Sequence, residues 1–95
     1  MKEIKVSEVR EILTEVIGKY DSLYEIAIRT PDDKLLKMNL CTDFGLDSLD
    51  IEDMCYTLCN SYGDTVKVFN PLTEFSFHKN QTIENFIDMV NYYLN

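Results

Sequence analysis

Residues 43–62 read Asp43-Phe44-Gly45-Leu46-Asp47-Ser48-Leu49-Asp50-Ile51-Glu52-Asp53-Met54-Cys55-Tyr56-Thr57-Leu58-Cys59-Asn60-Ser61-Tyr62. Ile51, Met54, Cys55, Leu58, Cys59 and Tyr62 recur at steps of three and four, which is one apolar face of an α-helix. Asp47 or Ser48 is placed to cap that helix. Asp50 adds negative charge to its first turn, where the helix dipole favours it. Gly45 permits a tight turn just before the helix, and Gly63 is predicted to end it.

The same periodicity appears on both sides. Val9, Ile12, Leu13, Val16, Ile17 and Tyr20 form one face of a first helix, with Ser7 as its expected cap and Gly18 near its end. Thr82 is the expected cap of a last helix that buries Ile83, Phe86, Ile87, Val90 and Leu94. A short helical turn is predicted after Asn70-Pro71, an Asn cap with Pro at the first helical position. The predicted fold is all-α, a small four-helix bundle with a long loop between the first and second helices. Within that connection (residues 21–46), Glu25-Ile26-Ala27-Ile28-Arg29-Thr30 alternates like a short strand, but a lone strand cannot satisfy its backbone. The stretch therefore reads mainly as loop. It turns at Pro31-Asp32-Asp33 and is held down by Leu35, Leu36, Met38 and Leu40.

A chain of 95 residues, 45% of them hydrophobic, supports a single domain over residues 1–95 with one core. Seventeen acidic residues (17) against 9 basic ones give a net charge of -8, a field that repels nucleic acid and anionic lipid heads and favours partners with basic patches. The first residues, Met1-Lys2-Glu3-Ile4-Lys5-Val6, lack the apolar run of a signal peptide, and no stretch approaches the roughly 18 apolar residues of a membrane span. The expected location is the cytoplasm, the expected state a monomer. Cys41, Cys55 and Cys59 are expected to be reduced thiols. Asn80-Gln81-Thr82 matches a glycosylation sequon, which carries no meaning without secretion.

The octapeptide Asp43–Asp50 resembles the phosphopantetheine attachment motif of acyl carrier proteins, in which Asp-Ser-Leu follows a Gly-apolar pair and opens the second helix. Thr82-Ile83-Glu84-Asn85-Phe86-Ile87 resembles the start of that family's last helix, and helix order and spacing agree over nearly the whole chain. The resemblance implies a covalent 4′-phosphopantetheine on Ser48, transferred from coenzyme A by a phosphopantetheinyl transferase (holo-ACP synthase). It implies that Asp47 helps the transferase recognise the site through its metal ion. It also implies carriage of thioester-linked acyl groups between enzymes of fatty acid, polyketide or related lipid biosynthesis. The physical chemistry agrees: a helix N-terminus presents outward N–H groups and a dipole suited to an incoming phosphate.

At about 100° per residue, Leu49, Glu52, Asp53, Tyr56 and Asn60 lie opposite the core stripe, with Asp50 alongside. This acidic strip with two apolar members, Leu49 and Tyr56, resembles the family's docking surface for acyl-loading and acyl-transfer enzymes with basic patches. Such pairing supplies speed and orientation more than tight affinity. The chain departs from the family pattern at the end of this helix, where Cys59, Asn60 and Ser61 replace acids. The loops before the motif and before the last helix are also longer. A carrier dedicated to a specialised pathway fits these departures at least as well as one that serves fatty acid synthesis.

Five other readings compete. Asp47 and Ser48 could do no more than cap a helix, as such residues often do. An adaptor of the same fold without a prosthetic group would bind through the acidic helix alone. Zinc could be held by Cys55 and Cys59 with Cys41 and His78, but the first two fall on the apolar stripe, where free cysteine behaves as a small hydrophobe. A catalytic Ser48 would need a base; His78 is the single histidine, and no Gly-x-Ser-x-Gly elbow surrounds Ser48. Asp43, Asp47 and Asp50 lack the alternate spacing of a calcium loop. The expected activity is carriage, not catalysis.

Overall fold

The first helix begins one turn before its apolar stripe. Its backbone N–H at Lys5 donates to Glu8 Oε1 at 3.0 Å, so Lys5 holds the cap position and Ser7 lies inside the helix. The computed structural model describes residues 3–62 and 82–94, and within them the chain is helical, with no strand. Five helices are present among the described residues: α1 (Val6–Ile17), α2 (Ser22–Arg29), α3 (Asp32–Leu35), α4 (Ser48–Ser61) and α5 (Ile83–Leu94). The turn predicted after Asn70-Pro71, the stop at Gly63 and His78 lie outside the described residues.

The connection after α1 is not a loop throughout, and its strand-like stretch is helical. Asp21 caps α2 by accepting from the Leu23 N–H at 2.9 Å. Glu25 and Arg29 pair across one turn at 2.7 Å, and Leu23 and Ala27, four apart, face the core. Alternation at Ile26-Ala27-Ile28 misleads because Ala27 alone of the three is fully buried, and both isoleucines remain exposed. Pro31-Asp32-Asp33 forms the opening of α3, a single helical turn with Pro31 at the cap position. Leu35 and Leu40 are buried and Leu36 and Met38 half-buried, so the packing expected of this stretch is present.

α1 packs against α2, α4 and α5, and α4 also packs against α5. The shared core holds Val9 and Leu13 of α1, Ile51, Met54, Cys55, Leu58 and Cys59 of α4, and Ile83, Phe86 and Val90 of α5. Phe44 and Leu46 join it from the segment that leads into α4. The first N–H groups of α5 are satisfied by the earlier connection: Ile83 donates to the Met38 carbonyl and Glu84 to the Leu36 carbonyl, both at 2.9 Å. Thr82 Oγ1 accepts from Asn85 N–H at 3.2 Å, which makes Thr82 the cap. Residues 36–39 are thereby fixed to the start of α5, immediately before the turn that delivers Ser48.

Candidate functional site

The segment that positions Ser48 is tied down residue by residue. Asn39 Oδ1 accepts from the N–H groups of Cys41 (2.8 Å) and Thr42 (3.0 Å), and Asp43 Oδ2 accepts from Asn39 N–H at 2.7 Å. Gly45 N–H donates to the Cys41 carbonyl and Leu46 N–H to the Leu40 carbonyl. Gly45 has φ 69°, a region that L side chains rarely adopt, so the turn expected there is present and suits glycine. Burial of Leu40, Phe44 and Leu46 anchors the turn on the core, which fixes where α4 begins.

Asp47 is the N-cap of α4, and it caps reciprocally. Its Oδ1 accepts from Asp50 N–H at 3.0 Å while Asp50 Oδ2 accepts from Asp47 N–H at 3.1 Å. Of the two residues that could cap this helix, Asp47 does so and Ser48 does not. Ser48 is the first helical residue and half-buried, and no hydrogen bond engages its hydroxyl among the described residues. Asp47 is exposed beside it. The arrangement is therefore a partly open hydroxyl at a helix N-terminus, flanked by two carboxylates that are occupied with the backbone.

The remaining strip on α4 is uneven. Leu49 is 68% exposed and Asp53 and Asn60 are exposed, whereas Asp50 and Glu52 are half-buried. Tyr56, expected to be exposed, is half-buried and engaged by a neighbour, so Leu49 is the one exposed apolar residue of the strip.

Cys55 and Cys59 are buried within α4, and burial, reinforced by the neighbouring Cys59 thiol, pushes the Cys55 pKa far up. Cys41 is half-buried; desolvation and then the Asp47 carboxylate raise its pKa, which places that thiol near the start of α4. Among the described residues, no three His, Cys, Asp or Glu side chains converge as a metal site would need. No helix among them is long and apolar enough to cross a membrane.

Among the described residues, two clefts on the surface are formed without Ser48. One, of about 410 Å³, lies between the N-terminal segment at Ile4 and Val6, Leu36, and Ile87 of α5. The other, of about 190 Å³, lies between α1 and α4. Its glutamates, Glu8, Glu11 and Glu15, went unremarked in the sequence although they repeat at helical spacing along α1, flanking Ile12. No protein-family model, no curated protein and no solved structure matches this chain.

Proposed function

We propose that this chain is an acyl carrier protein that bears 4′-phosphopantetheine on Ser48. One observation carries the reading: reciprocal capping by Asp47 and Asp50 leaves the Ser48 hydroxyl without a structural task at the mouth of α4. A serine that merely capped the helix would have its oxygen spent on a backbone N–H. The packing of α1, α4 and α5 around one core is compatible with a four-helix carrier bundle, with α2 and α3 occupying the first connection.

The bound group would supply a terminal thiol on which an acyl chain is held as a thioester. The protein's part is positional. The turn at Gly45 and the burial of Phe44 and Leu46 keep the Ser48 oxygen at a constant place. The α4 N-terminus favours a phosphate ester there, while Asp47 and Asp50 repel its charge and direct the arm toward solvent. The reading assigns the esterification chemistry to a separate transferase, with Asp47 exposed for its recognition. Leu49 and Asp53, with Glu52 beside them, offer partner enzymes an apolar anchor within an acidic field.

The test is intact mass after co-expression with a phosphopantetheinyl transferase. The carrier gains about 340 Da at Ser48, the mass of one phosphopantetheinyl group, and Ser48→Ala gains nothing. A well-folded chain that never gains this mass would instead be the adaptor that works through its acidic surface alone.

A further inference from the structure

We infer that the cleft between α1 and α4 is a second docking site, which takes a basic, amphipathic segment of a partner protein through one large apolar side chain. The inference does not rest on the carrier reading. Ile12 and Leu58 supply the apolar floor, and Glu8, Glu11 and Glu15 line the α1 side. Thr57 and Ser61 complete the α4 side, and among the described residues no lysine or arginine lines the cleft.

Size, charge and position select the occupant. A volume of about 190 Å³ falls below the roughly 300 Å³ at which pockets for drug-sized ligands begin, and matches a single side-chain anchor. Three carboxylates without a cation demand positive charge on either side of that anchor, and they repel both anionic lipid heads and a second copy of this chain with its net charge of -8. Glu8 already accepts from Tyr62 Oη at 2.6 Å and from Lys5 N–H at 3.0 Å, whereas Glu11 and Glu15 are exposed. The attraction therefore falls chiefly on Glu11 and Glu15. The site is separate from the mouth of α4: Thr57 and Ser61 lie nine and 13 residues beyond Ser48, or about 14–20 Å along the helix axis. Residues 57–61 of α4 include no acid, and α1 supplies the acidic charge across the cleft beside Ser61.

The experiment titrates the isotopically labelled full chain with a short helical peptide that carries a single phenylalanine among lysines. Matched peptides replace the phenylalanine with serine, or the lysines with glutamate. The expected amide shifts concentrate at Ile12, Thr57 and Leu58, and both matched peptides lose binding. Glu11→Lys/Glu15→Lys weakens binding about tenfold or more, while Asp33→Lys/Asp88→Lys, equal in charge change and exposed elsewhere, leaves it near wild type. Equal loss in the two double variants means diffuse charge attraction and overturns the inference. So does binding indifferent to the phenylalanine, the absence of any localised shift, or a cleft found closed by self-association in a sedimentation experiment.

Discussion

Asp47 and Asp50 hold each other's backbone N–H groups at 3.0 and 3.1 Å, and Ser48 and Leu49 sit between them with their side chains left out of the exchange. Stability and function are thus divided between adjacent residues. Asp47→Ala is expected to lower stability by about 1 kcal/mol through loss of the cap, whereas Ser48→Ala stays within about 0.5 kcal/mol of wild type. Urea denaturation of the two variants checks this. A Ser48→Ala variant as unstable as Asp47→Ala would mean that the serine, too, holds the helix.

Arg10 joins three elements. Its guanidinium donates to the carbonyls of Ala27 (2.6 Å) and Ile28 (3.2 Å) at the end of α2, and pairs with Asp32 in the first turn of α3. Arg10→Ala is expected to cost about 1–3 kcal/mol, because two carbonyls lose a charged donor. Arg10→Lys should recover little, since one ammonium cannot reproduce the fork. Asp32 is largely exposed, so Asp32→Ala should cost no more than about 1 kcal/mol. Thermal melts of the three variants give the ranking.

The Tyr62 hydroxyl donates to Glu8 Oε1 and lies 3.0 Å from the Glu3 carbonyl oxygen, which joins the end of α4 to the start of α1. The hydrogen bond to Glu8 is the chief cause that pushes its pKa up to about 12, with desolvation and the charges of Glu8 and Glu3 adding to it. The folded state thus keeps a proton that the unfolded chain releases near pH 10. The stability gained is complete below that value and is lost as pH rises toward 12. Tyrosinate absorbance should show a late-titrating component that vanishes in Tyr62→Phe, and the variant's stability should fall less steeply than wild type across that range.

The three cysteines should separate by accessibility. Cys55 and Cys59 are buried and the Cys55 pKa lies far above the ordinary thiol range, so both resist a disulfide reagent at neutral pH. Cys41, half-buried and raised by desolvation and Asp47, reacts first and slowly. Its rate should climb with pH as its thiolate forms, and Asp47→Asn should speed it. In denaturant all three react at the rate of a free thiol; equal rates in the native protein would contradict the α4 packing.

The helices legible in the sequence were those with a broad apolar stripe, because their periodicity reports the same core that now buries Leu13, Ile51, Met54, Phe86 and Val90. α2 escaped because it is short and buries chiefly one small residue, Ala27, while exposed isoleucines on either side imitate a strand. Its real signals were local: an Asp21 cap and a Glu25–Arg29 pair one turn apart. At the candidate site, the capping residues and the glycine turn could be read from residue types alone. The half-burial of Tyr56 and the α1–α4 cleft could not, since both depend on how one helix rests on another.

Gly18 and Gly45 offer the clearest separation of backbone cost from packing cost. Both have positive φ, 84° and 69°, and a Cβ added at either meets nothing within 4 Å. Substitution by alanine therefore creates no clash, and any loss of stability is conformational. Gly18 also has ψ 141°, outside the small left-handed region that other residues tolerate, so its cost should be the larger, about 1–3 kcal/mol. The two variants should differ in a second way. Gly18 ends α1, far in sequence from the motif, while Gly45 sets the turn three residues before Ser48. Gly45→Ala should thus slow modification of Ser48 by a transferase even at temperatures where the protein stays folded, and Gly18→Ala should not. Denaturation curves and the time course of mass gain, measured on the same samples, separate the two effects. A modification rate that merely tracks stability in both variants would mean that the turn has no part in presenting the hydroxyl.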